Sequence, residues 1–162
     1  EGLQPKPGGR QSGRAGRRLN PASGRLKRVF PIVESIRVRY NECDPQGVVF
    51  NANFLLYMDI ACTEAWKQIL GGIGYASLTA DHGVDVVVAE ANVKYLAPVR
   101  FDEQLDVVIE SIDLGNTSMT WNIVIRRDGQ LVTEGKIRNV FISPDTWKPV
   151  PAPDAVRELL AK

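Results

Sequence analysis

From Asn51 to about Leu70 the apolar residues recur every three or four positions, and every other patterned stretch of the chain alternates with a period of two. One long helix among many strands restricts the possible folds more than any other feature. At 100° per residue, Phe54, Met58, Ala61, Cys62, Ala65, Trp66 and Ile69 fall on one wide apolar stripe. Asn53, Asp59, Thr63, Glu64, Lys67 and Gln68 lie opposite, with Tyr57 and Ile60 intruding on that polar arc. Such a helix is expected to pack on a sheet and to be partly covered by something else, for which a partner subunit is one candidate. Gly71-Gly72 supplies the stop. Residues 52–70 would measure roughly 28 Å at ~1.5 Å per residue.

The period-two stretches are long. From Ile32 to Tyr40 the spacing puts Ile36, Val38 and Tyr40 on one face of a strand and Ser35, Arg37 and Arg39 on the other. Asp44-Pro45-Gln46-Gly47 then has Asp, Pro and Gly at the first, second and fourth positions of a type I turn. After a loop over 72–83 that holds the single histidine, His82, strands are predicted over 84–97, 103–113, 117–127 and 130–143. Asp128-Gly129 is a two-residue hairpin turn, and Asp113-Leu114-Gly115-Asn116 fits a second hairpin. A proline-punctuated stretch from Pro144 to Pro153 leads to a short helix capped by Asp154 and running to Lys162. Hairpins make the sheet antiparallel, and a single long helix to cover it gives an α+β fold.

Charge divides the chain in two. Eight of the 20 basic residues but only one of the 19 acidic ones lie in residues 1–28, which leaves that segment at +7 and residues 29–162 at −6. The first segment is rich in Gly, Pro, Ser and Arg and has few aliphatic residues, so it is expected to stay disordered or to order only on contact. An electrostatic arm, a targeting peptide and an inert tail all fit it. Residues 29–162 form one domain whose acidic balance argues against a nucleic-acid partner. No apolar run approaches 18 residues, so no membrane insertion is expected. Cys43 and Cys62 have no His or Cys at ligand spacing. No metal or cofactor is implied, and a reducing, cytoplasmic setting is the natural expectation.

The run Arg39-Tyr40-Asn41-Glu42-Cys43-Asp44-Pro45-Gln46-Gly47-Val48-Val49-Phe50-Asn51-Ala52-Asn53-Phe54 resembles the signature of the 4-hydroxybenzoyl-CoA thioesterases and the related short-chain acyl-CoA thioesterases of the Tol-Pal gene cluster. Ala61-Cys62-Thr63-Glu64 and Tyr95-Leu96-Ala97-Pro98-Val99-Arg100 extend the resemblance, which covers about Val33 to Ser143. It implies a hotdog fold, an antiparallel sheet wrapped around one long central helix. It also implies an acyl-CoA substrate, no cofactor, and a homodimer or homotetramer with the active site at the subunit interface. Carried over residue by residue, Asp44 matches the catalytic carboxylate, the backbone N–H at Asn51 matches the group that polarises the thioester carbonyl, and Tyr40 matches a tyrosine found near the site in some members. Gly47 and Val48 of the signature, Glu64 on the helix and Lys94 complete the expected substrate-binding set, Glu64 only if it faces the Asp44 of a partner subunit. There are departures: some relatives have His where Asn51 stands, and Asn116-Thr117 and Glu134 fall where basic groups would grip the nucleotide phosphates.

The chemistry needs little. A thiol of pKa ~8.5 is a good leaving group, so a carboxylate and a donor to the carbonyl oxygen suffice. Asp44 lies seven residues before Asn51, close enough to fold back toward a helix start. Whether it attacks directly or deprotonates water stays open. Each residue also has a plainer reading: Asp44 as turn chemistry, Asn51 as a capping side chain, Tyr40 as core, Glu64 as the i,i+3 partner of Lys67, His82 as surface, and Tyr57, Trp66 and Trp121 as core packing. Two other functions remain: a non-catalytic acyl-thioester binding module, and an acyl-carrier-protein thioesterase if Lys94, Arg126, Arg127, Lys136 and Arg138 gather into one basic patch.

Overall fold

The computed structural model describes residues 30–71 and 74–160; the basic segment 1–28 lies outside the described residues. Eight regular elements follow in chain order: β1 (Ile32–Arg37), α1 (Asn51–Leu70), α2 (Ala76–His82), β2 (Asp85–Tyr95), β3 (Gln104–Leu114), β4 (Ser118–Arg127), β5 (Gln130–Ile142) and α3 (Asp154–Leu160). The five strands form one sheet in the order β1-β3-β4-β5-β2, every neighbouring pair antiparallel. This is the hotdog arrangement that the resemblance implied. The β4–β5 hairpin turns through Asp128 and Gly129, at φ 49° and 78°, the positive angles a two-residue turn of this hand requires.

The stripe read from the sequence is the buried face of α1. Phe54, Met58, Ala61, Cys62, Ala65, Trp66 and Ile69 are all buried against the sheet. Their counterparts alternate inward along the strands: Leu105, Val107 and Ile109 on β3, and Met119, Trp121, Ile123 and Ile125 on β4. Trp66 and Trp121 meet edge to face with centroids 5.5 Å apart. Gly71 ends the helix at φ 74°, its N–H bonded to the Lys67 carbonyl at 2.8 Å.

Four sequence expectations are corrected. β1 stops at Arg37, and the chain tightens into a 3-10 turn at Tyr40–Glu42; Tyr40 thereby swings out of the inward register and is 81% exposed. Tyr57 belongs to the buried face rather than the polar arc, and its hydroxyl meets Glu42 of its own chain. Phe50, not Asn51, is the capping residue of α1, and no side chain caps that end. The loop over 72–83 contains α2, closed by Gly83 in the left-handed conformation.

Gly135 of β5 lies directly beneath Met58, whose Sδ and Cε leave no room for a Cβ there. The end of the Met58 side chain thus occupies the space that a side chain at position 135 would need. Gly135→Val is expected to cost about 1–3 kcal/mol by overpacking, measured as a lowered urea midpoint. Paired with Met58→Ala, its cost should be clearly less than the sum of the two single changes, because the same space is involved.

Candidate active site

The segment between β1 and α1 owes its shape to one buried carboxylate. Glu42 is 8% exposed. Its Oε2 accepts the Arg39 N–H at 2.7 Å and the Tyr57 hydroxyl at 2.6 Å. Its carbonyl oxygen accepts the Phe50 N–H at 2.9 Å and the Asn53 side-chain amide at 2.7 Å. Glu42 therefore ties the end of β1 to the first two turns of α1. Sequence reading passed over it because an acid flanked by polar residues looks solvent-bound. The available signal was Tyr57, an aromatic in the helix that needed a polar partner once buried.

Asp44 follows two residues later, in the predicted turn. The Gly47 N–H bonds to its carbonyl at 2.9 Å, and the Gln46 N–H to its Oδ1 at 2.8 Å. Gly47 sits at φ 76°, a conformation that favours glycine at the end of this turn. The chain then runs back antiparallel to itself, with Asp44 N–H on the Val48 carbonyl at 2.8 Å and Cys43 bridged to Val49. This reversal carries the chain from Asp44 to the start of α1.

Asp44 and Asn51 line the same cavity, of roughly 520 Å3, which Phe54, Tyr95 and the 96–99 segment complete. Val48 lines it as well; Gly47 does not, and acts through the turn. Among the described residues, no acceptor is bonded to the N–H of Asn51 or Ala52, so the positive end of a 20-residue helix opens here without a cap. Tyr95 donates its hydroxyl to the Asn51 carbonyl at 3.1 Å and meets Phe54 edge to face at 5.3 Å. The far wall is braced by Arg127, which donates to the Pro98 carbonyl at 3.0 Å and to both oxygens of Glu103. Burial raises the pKa of Glu103, but the Arg100 N–H and the Arg127 guanidinium outweigh it and hold the carboxyl below its usual range.

Three expected site residues lie elsewhere in the chain. Tyr40 packs edge to face on Phe101, centroids 5.9 Å apart, at a separate recess. Glu64 pairs with Lys67, as the plain reading had it. Lys94 pairs with Glu134 at 3.3 Å on the outer face of the sheet. His82 is exposed at the end of α2. Among the described residues no cluster of His, Cys, Asp and Glu has the form of a metal site, and no helix is long and apolar enough to cross a membrane.

The hotdog sheet around one long helix defines a fold class, and comparison with known proteins bears that class out. The sequence model of the thioesterase superfamily matches residues 46–134, more than half of the chain; the chain belongs to that superfamily. It is 27% identical to the acyl-CoA thioester hydrolase YbgC of Escherichia coli O6:H1 over 122 residues, 75% of this chain and 89% of the relative. Among solved structures, a thioesterase superfamily protein from Jannaschia sp. CCS1 superposes with a TM-score of 0.75 at 25% identity, covering 82% of this chain and 92% of the other. A 1,4-dihydroxy-2-naphthoyl-CoA thioesterase from Synechocystis gives 0.72 at 18% identity, covering 82% and 96%, and speaks for the fold alone.

Burial first, then the hydrogen bond to Glu42 and its charge, push the Tyr57 phenol well above its usual pKa of about 10. Above that pH the unfolded chain releases the proton while the folded chain keeps it. Stability is therefore present below about pH 10 and lost as pH rises, at up to about 1.4 kcal/mol per pH unit. Tyr57→Phe should flatten that alkaline loss, read from urea midpoints at successive pH values. At pH 7 it should cost about 1–3 kcal/mol, because the buried Glu42 carboxylate loses a partner.

Proposed function

We propose that the protein hydrolyses an acyl-CoA thioester to the free acid and CoA, with Asp44 as general base or nucleophile and the N–H groups at the start of α1 polarising the carbonyl. The observation that carries this reading is the shared cavity: a carboxylate and unbonded backbone donors face one space walled by apolar side chains. As a base, Asp44 takes a proton from water while the water oxygen attacks the thioester carbon. The carbonyl oxygen gathers negative charge against the helix start, and the C–S bond breaks to release thiolate. As a nucleophile, Asp44 forms an anhydride with the acyl group and expels the thiolate, and water then cleaves the anhydride. Both routes use the same two groups, and neither needs an imidazole at position 51. The names of relatives such as the Escherichia coli acyl-CoA thioester hydrolase support the substrate class.

The proposed assembly is a homodimer, or a larger oligomer built from it, joined through β2. This strand is 11 residues long, pairs with β5 along one side, and has no strand on its other side among the described residues. Val88, 57% exposed, faces the helix side of that open edge. An exposed edge of this length invites pairing with a copy of itself, which would continue the sheet. Gly47 and Val48 serve the substrate by shaping the mouth beside Asp44. A carrier-protein substrate has less support, since Lys94, Arg126, Arg127 and Arg138 are engaged by Glu134, Glu110, Glu103 and Glu90. Both cysteines are free, which suits a reducing compartment such as the cytoplasm.

Asp44→Asn keeps an oxygen for the Gln46 N–H and so should preserve the turn and the melting temperature. Its rate of thiol release from a panel of aliphatic and aromatic acyl-CoAs should fall at least ~10²-fold. Equal rates in the two proteins would remove Asp44 from the chemistry; acyl-CoA binding without hydrolysis would favour the non-catalytic module. Sedimentation of the wild type should give a dimer or larger, and Val88→Lys should shift it toward monomer by placing a charge on the apolar part of the pairing edge.

A further inference from the structure

A second cavity, of roughly 200 Å3, lies midway along α1, where the N-terminal half of β2 crosses the helix. Trp66, Val86, Val88 and Ile137 give it apolar walls, and Thr63, Tyr75 and Asn139 add neutral polar groups. Asn139 is 9% exposed, and its Oδ1 accepts the Trp121 indole N–H at 2.7 Å. An indole only donates, so the Asn139 oxygen must face Trp121 and its NH2 group must point away from it. That NH2 is bonded to no acceptor among the described residues. It is not sealed in either: Thr133 Oγ1 is the only side-chain polar atom among them that is both occluded and unpartnered. Asn139 thus presents an oriented, unused donor to a cavity with one apolar wall.

We infer, resting on the hydrolase reading above, that this cavity receives the far end of the acyl group of a thioester bound at Asp44 of a second copy, and that Asn139 selects acyl groups carrying a neutral oxygen there. The arrangement follows from the edge strand. Thr63 lies 12 residues beyond Asn51, roughly 18 Å along the helix at ~1.5 Å per residue, too far for a short acyl group held at the same chain's helix start. Antiparallel pairing of β2 with its copy sets the Tyr95 end of one strand against the Asp85 end of the other. Tyr95 lines the Asp44 cavity, and Val86 and Val88 line this one. The two cavities then adjoin across the interface. Asp59 borders the second cavity and, after burial itself, helps keep the Cys62 thiol protonated; the same carboxylate repels an acyl group ending in an anion. What suits the site is a hydroxyl or carbonyl oxygen on an otherwise apolar acyl group.

Two acyl-CoAs of equal length, one with a keto oxygen near its far end and one with a methylene in its place, test the selection, because a ketone accepts a hydrogen bond and cannot donate one. Wild type should prefer the keto compound roughly tenfold in kcat/KM, the scale of one net hydrogen bond. Asn139→Asp keeps an oxygen for Trp121 and replaces the NH2 by an acceptor, so the preference should vanish or reverse. Should that variant fail to fold by circular dichroism, Thr63→Phe fills the cavity from the helix and should lower kcat/KM for both compounds relative to acetyl-CoA. Hybrids of Asp44→Asn and Thr63→Phe chains should regain activity on the keto compound, since one of their two sites then carries neither change. A wild type without preference, an Asn139→Asp protein that keeps it, a Thr63→Phe protein with unaltered ratios, or hybrids without recovery would overturn the inference, and Asp44 would stand. A wild type that cleaves no thioester would instead remove the hydrolase reading on which the inference rests.

Discussion

The bond between Glu42 and Tyr57 holds the candidate site together. A carboxylate buried in apolar surroundings is costly unless its oxygens are satisfied. Here the satisfying groups come from the end of β1 and from the second turn of α1. The backbone of the same residue holds Phe50 and Asn53 at the helix start. With those positions fixed, the chain between them has little freedom: it must turn at Asp44 and come back through Val49. The Asp44 carboxylate and the helix start are thus located relative to each other by a second, buried carboxylate.

The sheet divides its labour by face and edge. Its inner face is apolar and buries the helix, with Gly135 making room for Met58. Its outer face carries cross-strand ion pairs between β2 and β5 and between β3 and β4, exposed pairs that contribute little stability but leave few unmatched cations. The β2 edge is different, being long, part apolar and unpaired, and both cavities along the helix open beside it. Two sets of donors that reach those cavities, the first N–H groups of the helix and the Asn139 NH2, have no partners among the described residues.

Periodicity made the frame legible. The helix from Asn51 to Leu70, the hairpin at Asp128-Gly129 and four of the strands stand within a residue or two of where the pattern put them. Amphipathic alternation reports which face is buried, and burial against one sheet is a local consequence of that pattern. Tyr40 and Tyr57 were misread for the converse reason. Tyr40 leaves the strand register in a 3-10 turn, and the environment of Tyr57 depends on a hydrogen bond to Glu42, 15 residues away, which no period contains. Asp44 and Asn51 could be paired in advance because the resemblance named them, but their common cavity needed the fold. Asn139 gave no signal at all in the sequence, since its meaning depends on Trp121, which lies 18 positions earlier on the neighbouring strand.

The turn reading and the catalytic reading of Asp44 are not rivals. A carboxylate has two oxygens and about four acceptor sites. The turn uses Oδ1, bonded to the Gln46 N–H, while Oδ2 is bonded to no group among the described residues. That single bond, with the Gly47 N–H on the Asp44 carbonyl, fixes the direction of the side chain without exhausting it. A nucleophile or base gains from such restraint, because orientation is supplied by the fold before substrate arrives. The same economy explains why an Asp-Pro-x-Gly sequence suits the task. Proline and glycine hold the backbone of the turn, and the residue that opens it keeps one carboxylate oxygen unbonded among the described residues.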